Sequence, residues 1–159
     1  MSPASALGAV FVVELESALA AGAALRRVLD LREHDRIIPF TRVRPAVSAD
    51  ELTAGTEFVA RTGLGPVGFD DVMRVEEIGF GDGGGDAERD GDGVARAIIS
   101  KHAPAIRGTI RLTITPAVGG SHVRWEQEVL LPWLPRFVQG LAARVVRAGY
   151  RRVLGQLLR

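Results

Sequence analysis

Residues 134–159 have the sequence LPRFVQGLAARVVRAGYRRVLGQLLR, which is the pattern of one long amphipathic helix. Its apolar side chains would form two adjacent rows, the first made of Phe137, Leu141, Val145, Val153 and Leu157 and the second of Val138, Ala142, Val146, Tyr150, Leu154 and Leu158. Arginines lie on the other side, at positions 136, 144, 147 and 151. A stripe this wide is typical of a helix that packs against a large apolar surface. We expect the whole stripe to face that surface.

Strand-like segments before this helix predict that the surface is a β-sheet. Runs rich in β-branched, aromatic or alternating apolar residues lie at 8–17, 40–47, 56–62, 69–78, 94–102, 107–115 and 122–131. Two short helices, 20–31 and 33–38, separate the first two runs, and Pro39 ends the second helix. A helix of about 24 residues is roughly 36 Å long, and a ten-residue strand is roughly 33 Å long. The helix can therefore lie along an antiparallel sheet that curls around it.

The composition predicts one domain, residues 1–159, with a sizeable core. A net charge of +1 gives no electrostatic reason to expect nucleic acid as a partner, and Lys101 is the only lysine. The absence of cysteine excludes disulfides and thiolate metal sites. The apolar segment 6–13 has no basic residue before it and is followed by Glu14 and Glu16, which is unlike a signal peptide. We expect a soluble, cytoplasmic protein that is a monomer or a weak homodimer.

Charge is unevenly distributed along the chain. Five acidic residues and one arginine lie between Asp82 and Asp92, in a Gly-rich segment, 79–93, that we interpret as a flexible hairpin loop. This segment resembles a calcium loop only loosely, because Ala97 stands where a bidentate Glu is needed. After Glu128 there are six arginines and no acid. We favour a solvated helix face here, and the alternative is a basic face that meets anionic lipid or an acidic partner.

Three segments and the closing helix resemble a known superfamily. The segments are DLREHDRIIP at 30–39, GLGPVGFDD at 63–71 and SHVRWE at 121–126. Together they resemble the START-like, polyketide cyclase and lipid-transfer superfamily (SRPBCC), and most of all its actinobacterial members of unassigned function. The resemblance covers essentially the whole chain. One departure is that Ile37 and Ile38 precede Pro39 where many relatives have an aromatic residue, so we expect a differently shaped cavity entrance.

The resemblance implies an α+β helix-grip fold. A curved antiparallel sheet of seven strands would grip the long C-terminal helix, with two short helices after strand 1 and an apolar cavity between sheet and helix. Strand alternation supplies the inward positions. We expect the ligand to contact a set of side chains from the sheet and helix: Phe58, Ala60, Phe69, Asp71, Met73, Ile110, Leu112, Trp125, Gln127, Phe137, Leu141 and Val145. The alternative is an interior filled solidly by side chains.

Asp71 and Gln127 are the polar members of this set. A carboxylate at position 71 would be costly on an apolar inner face unless it is paired or protonated. It could bind or polarise a ligand, but we favour the alternative that Asp70 and Asp71 both lie near a turn and are solvated. Gln127 could orient a ligand in an apolar pocket or make a structural hydrogen bond.

The remaining candidates are aromatic residues and histidines. Trp125 is interpreted first as a core residue and second as a ligand contact, and Trp133 as a cap or a residue at the cavity mouth. His34, His102 and His122 are scattered, and no two of them have metal-ligand spacing. We expect each histidine at the surface, and we expect neither a metal nor another cofactor.

Three functions are therefore open. The first is binding or transport of a small hydrophobic molecule such as a lipid or polyketide. The second is a polyketide aromatase or cyclase in the same cavity, which we favour less because no convincing acid–base pair is evident. The third is a non-catalytic interaction module that uses the basic face of the C-terminal helix, with a membrane surface as the less favoured partner.

Overall fold

The computed structural model describes residues 8–81 and 93–159. Seven strands and three helices follow one another in the predicted order. The strands are β1 (Ala9–Ser17), β2 (Thr41–Arg44), β3 (Glu57–Leu64), β4 (Val67–Gly79), β5 (Ala95–His102), β6 (Arg107–Ala117) and β7 (Gly120–Val129). The helices are α1 (Ala21–Val28), α2 (Leu31–Ile37) and α3 (Arg136–Leu157), and a 3₁₀ turn spans Ala49–Glu51. Most of the segment predicted as a flexible hairpin loop, 79–93, lies outside the described residues.

The seven strands form one antiparallel sheet in the order β1-β7-β6-β5-β4-β3-β2. Consecutive strands are neighbours except that β1 pairs with β7, so the first strand lies beside the last. Alternation along β5 shows how the inner face is made: Ala95, Ala97, Ile99 and Lys101 are buried, and the residues between them are less so. β2 is shorter than predicted because Pro45, which has no N–H to donate, follows it.

Two short helices close one side of the sheet. α1 buries Ala21, Ala24, Leu25 and Val28, which recur at helical spacing. Asp30 caps α2 by accepting the Arg32 N–H at 3.1 Å, and Pro39 follows the last turn. The helix-grip arrangement is thus confirmed, with α3 packed along the inner side of the sheet.

The predicted orientation of α3 is wrong for its first half. Phe137, Leu141 and Val145 were expected to face the sheet, but they are 90%, 61% and 67% exposed. The buried side chains of α3 are instead Gln139, Ala143, Leu154 and Leu157.

Gln139 explains the rotation. Its Nε2 donates to the carbonyls of Leu131 (2.7 Å) and Leu134 (2.9 Å), and its Oε1 accepts the Leu131 N–H at 3.3 Å. These bonds satisfy the backbone of the turn that enters the helix, and they hold Gln139 inward. Phe137, two positions earlier, is displaced by about 200° around the helix and so points to solvent.

Within the described residues, no helix has the length and apolar character needed to cross a membrane.

Candidate functional site

A cavity of about 500 Å³ lies between the inner face of the sheet, α2 and the C-terminal half of α3. Most of its walls are apolar, from Phe58 and Ile110 on the sheet to Leu31 and Val153 on the helices. Phe69 lines the cavity and is also 45% exposed, so the cavity reaches solvent beside it. The interior is therefore not filled solidly by side chains.

Seven of the twelve predicted contact residues line this cavity: Phe58, Ala60, Phe69, Asp71, Met73, Ile110 and Trp125. Leu112 and Gln127 are fully buried on the inner side of the sheet but are not part of the cavity wall. Phe137, Leu141 and Val145 lie on the outside of α3 because the hydrogen bonds of Gln139 set the rotation of the helix. The prediction that these three residues belong to the cavity wall is therefore wrong. Whether the seven bind a ligand stays a prediction.

The structure adds wall residues from the two helices. α2 contributes His34 and Ile37, and Ile38 follows directly after it, so the residues that depart from the superfamily pattern do line the cavity. α3 contributes Tyr150 and Val153, among others. Tyr150 was in the second predicted row of the helix and Val153 in the first, so both rows reach the cavity in the C-terminal half of α3.

A buried ion pair lies at the polar end of the cavity wall. Lys101 Nζ donates to Asp71 Oδ2, and their side chains are 0% and 11% exposed. Nζ also lies 3.5 Å from Met73 Sδ. The favoured interpretation of Asp71 as a solvated turn residue is therefore wrong. It is right for Asp70, which is exposed and accepts from Arg61 Nη1 at 3.0 Å.

The lysine is held in its charged form. Burial on its own would lower the pKa of Lys101, because an ammonium ion is poorly solvated in an apolar interior. The nearby Tyr150 hydroxyl and the Asp71 carboxylate outweigh burial and raise the pKa of Lys101 above its ordinary value. Each of the two charges is therefore stable in this buried position only while its partner is present.

Two buried polar atoms have no hydrogen-bond partner among the described residues: Asp71 Oδ1 and Gln127 Nε2. Gln127 Oε1 accepts the indole N–H of Trp125 at 3.0 Å. Because an indole N–H can only donate, this bond fixes the orientation of the amide and leaves Nε2 as the open group. An open buried donor or acceptor is unfavourable by about 1–3 kcal/mol. Asp71 lines the cavity and Gln127 does not, so Asp71 Oδ1 is the candidate for contact with a guest.

Trp125 and Tyr150 form a flat aromatic part of the wall. Their rings stack with centroids 5.0 Å apart, and Tyr150 also approaches Phe11 at 6.1 Å. Trp125 is buried and lines the cavity, so its core and ligand-contact interpretations are compatible. Trp133 is instead mostly exposed and donates to the Ala105 carbonyl at 2.9 Å.

His34 departs from the prediction that all three histidines are surface residues. It lines the cavity, and its Nε2 lies 2.8 Å from the Val28 carbonyl oxygen. Burial lowers the pKa of His34, and the bond to Val28 only partly opposes this. His34 is therefore neutral near pH 7, with Nε2 protonated. No group of three or more His, Asp or Glu side chains that could hold a metal occurs in 8–81 and 93–159.

Lys101 is the functional candidate that the sequence interpretation missed. The alternation of β5 passes through Ala95, Ala97 and Ile99 and then reaches Lys101, so the pattern did place it inward. Lysine is rarely buried without a partner, and its partner, Asp71, is distant in sequence. The pair could have been found only by combining the alternation of both strands.

Sequence comparisons find no matching protein-family model and no matching curated protein. Solved structures do match. The aromatase/cyclase ZhuI from Streptomyces sp. R1128 is 11% identical, with a TM-score of 0.60, over 94% of this chain and 93% of that one. A START superfamily protein from Mycobacterium smegmatis is 13% identical, with a TM-score of 0.60, over 93% and 96%. The di-domain aromatase/cyclase StfQ of the steffimycin biosynthetic pathway is 13% identical, with a TM-score of 0.66, over 94% and 49%.

At these identities the likeness concerns the path of the chain alone. It agrees with the strand order, the position of α3 and the resemblance carried by residues 30–39, 63–71 and 121–126. The protein therefore has the START-like helix-grip fold.

Proposed function

We propose that the protein binds a small hydrophobic molecule in the cavity and carries or sequesters it. The observation that carries this proposal is an internal space of about 500 Å³ with largely apolar walls. Transfer of apolar ligand surface from water into such a space favours binding by about 25 cal/mol per Å², before ordering costs. The solved START superfamily protein with the same fold supports this choice. A cytoplasmic location and a monomeric or weakly dimeric state stay predictions.

Gly149 offers a direct test. It lines the cavity from α3, and a Cβ built on it meets no atom within 4 Å. Gly149→Leu should fill part of the cavity without a backbone clash, and it replaces a helix-interior glycine, which favours folding by up to about 1 kcal/mol. We expect a protein that is at least as stable as the wild type but binds the neutral fluorescent probe N-phenyl-1-naphthylamine at least fivefold more weakly.

Gly140→Leu is the matched control. Gly140 lies in the same helix with equally open surroundings, but it is not part of the cavity wall. It should gain similar stability and keep wild-type probe affinity. Equal probe affinity in the wild type and both variants would argue against binding in the cavity. Organic-solvent extraction of purified protein, followed by mass spectrometry, tests for a bound natural ligand.

A polyketide aromatase or cyclase is a second candidate. The observation that favours it is the presence of ionisable side chains in the cavity wall, namely His34, Asp71, Tyr150 and Arg152. Solved aromatase/cyclases share the fold. In the neutral imidazole of His34, Nε2 carries the proton. Nδ1 is therefore the nitrogen that can accept a proton from a substrate. Cyclisation of a poly-β-ketone chain that is lost in His34→Phe, with probe binding retained, would support this candidate over a simple carrier.

Membrane docking is a third candidate, and the outer face of α3 favours it. Phe137, Leu141 and Val145 are exposed, and Arg144 and Arg151 lie beside them on the helix. After Glu128 the chain has no acid, so a second copy of this face would bring like charges together, whereas anionic lipid complements them.

Vesicle binding tests this candidate. We expect sedimentation with phosphatidylglycerol vesicles but not with phosphatidylcholine vesicles, and a loss of binding in Phe137→Ser/Leu141→Ser. Val118→Ser, which changes an exposed apolar residue far from α3 in sequence, is the control. Binding that is equal for both lipids, or unaffected by the double change, would count against docking through this face.

A further inference from the structure

Lys101 is bonded inside the protein. Its ammonium group donates to Asp71 Oδ2 and lies 3.5 Å from Met73 Sδ. The lysine also has no exposed side-chain surface and is not part of the cavity wall. A guest molecule in the cavity is therefore not recognised by the ammonium group.

Asp71 has the opposite character. It lines the cavity, and its second oxygen, Oδ1, has no partner among the described residues. The carboxylate is paired with the Lys101 ammonium, and a carboxylate oxygen can only accept a hydrogen bond. Tyr150 also lines the cavity, and its phenolic hydroxyl can donate a hydrogen bond to a guest. The polar end of the cavity thus offers one charged acceptor and one neutral donor.

We infer that the cavity selects apolar molecules that carry a neutral hydroxyl group, alcohol or phenol, and anchors that group on Asp71 Oδ1. This inference rests on the proposed binding function. A hydroxyl group both donates and accepts, so it matches Asp71 and Tyr150 together. An ether or ketone can only accept and leaves Oδ1 open. At this end a carboxylate would bring a second negative charge to Asp71 while the ammonium is already occupied, and the other cation of the wall, Arg152, is exposed to solvent. The flat Trp125–Tyr150 stack beside this end suits a ring-bearing alcohol or phenol.

The test compares three ligands that share one ring system: 2-naphthol, 2-methoxynaphthalene and 2-naphthoate. Each displaces N-phenyl-1-naphthylamine from the wild-type protein in a fluorescence titration. Because hydrogen bonds to charged groups are the stronger ones, we expect 2-naphthol to bind about tenfold or more tightly than 2-methoxynaphthalene. 2-Naphthoate should bind most weakly of the three.

A double variant tests the anchor itself. Asp71→Asn/Lys101→Met removes both charges together and leaves no unpaired ion, which is the change that the fold tolerates best. The preference for the hydroxyl compound should fall to about twofold or less, while 2-methoxynaphthalene affinity is retained. The matched control is Asp70→Asn/Arg61→Met, which removes the exposed pair on the adjacent positions of β3 and β4 and should keep the wild-type preference.

The outcomes separate the two proposals. If neither the probe nor any of the three compounds binds the wild type, cavity binding itself fails. If they bind but 2-naphthol and 2-methoxynaphthalene are equal, or 2-naphthoate binds best, the hydroxyl anchor is overturned while cavity binding stands. A full preference in the folded Asp71→Asn/Lys101→Met variant would also overturn it. Should that variant not fold, the wild-type comparison of hydroxyl and ether decides.

Discussion

Asp70 and Asp71 are adjacent in the chain but lie in opposite environments. Asp70 points outward and pairs with Arg61 across the β3–β4 ladder, with both side chains about half exposed at 51% and 52%. Asp71 points inward and pairs with Lys101, with both side chains almost fully buried. Successive strand residues face opposite sides of a sheet, so one step along β4 moves a carboxylate from water into the core.

The two pairs teach how environment determines what an ion pair does. An exposed pair contributes little to stability, because water solvates each charge nearly as well as its partner does. A buried pair is unfavourable to desolvate, by several kcal/mol per ion, and either charge left alone is strongly destabilising. The presence of the buried Lys101–Asp71 pair is therefore weak evidence that the pair stabilises the fold. A pair in this position, with one carboxylate oxygen open, is the feature on which the proposed hydroxyl anchor rests.

The largest effect should come from removing one partner of the inner pair. Lys101→Met leaves the Asp71 carboxylate buried with neither oxygen bonded to a cation. We expect the free energy of unfolding to fall by about 3–5 kcal/mol, measured by urea denaturation at pH 7. Arg61→Met, which removes the corresponding cation of the outer pair, is the control. Losses of equal size in the two variants would contradict the contrast between the environments.

The second-largest effect should be a recovery of stability when Asp71 is replaced as well as Lys101. Adding Asp71→Asn to Lys101→Met eliminates the orphaned charge, and replacement of whole buried pairs is often close to neutral. We expect the double variant to be more stable than Lys101→Met by about 2 kcal/mol or more. A double-mutant cycle measures this coupling. A double variant no more stable than the single one would mean that the two side chains are not energetically coupled.

Much of the fold could be predicted because it follows from local patterns. The alternation in the strands, the turn residues Gly63 to Pro66 and Pro39 after the second helix gave the element order and the sheet. The amphipathic pattern of α3 also predicted a helix packed on that sheet. The pattern could not predict how α3 is rotated about its own axis, because its apolar stripe is wider than the face that is buried. That rotation is determined by Gln139, whose hydrogen bonds to Leu131 and Leu134 exist only in the folded chain.

The candidate site was predicted for the residues that alternation governs. Phe58, Met73 and Trp125 line the cavity as expected. Lys101 and His34 were missed because both residue types are often exposed, and the groups that they contact in the folded chain are not evident from alternation or spacing. For Lys101 the partner is Asp71, and for His34 it is the Val28 carbonyl. Such pairings depend on the curvature that brings β4, β5, α2 and α3 together.

A smaller effect should appear at alkaline pH. The pKa of Lys101 is raised in the folded protein above its ordinary value of 10.5. The folded state therefore holds this proton more tightly than the unfolded state, so stability from the pair is complete below pH 10.5 and declines as pH rises through the folded pKa. The slope for one proton is at most about 1.4 kcal/mol per pH unit. Unfolding free energies measured from pH 9 to 12 should fall more steeply for the wild type than for Asp71→Asn/Lys101→Met. Parallel curves would show that Lys101 does not have a raised pKa.

The smallest effect should come from the outer pair. Asp70→Asn removes the acceptor of the Arg61 guanidinium where both side chains are half exposed, so water replaces the lost partner. We expect the free energy of unfolding to change by less than about 1 kcal/mol, and the change to shrink further in 0.5 M NaCl because salt screens exposed charges. Asp71→Asn, one residue away, should lose considerably more and show little dependence on salt, since its charge lies out of reach of mobile ions. If Asp70→Asn proved as costly as Asp71→Asn, the two carboxylates would share one environment. The alternation of β4, on which the cavity and its anchor depend, would then be wrong.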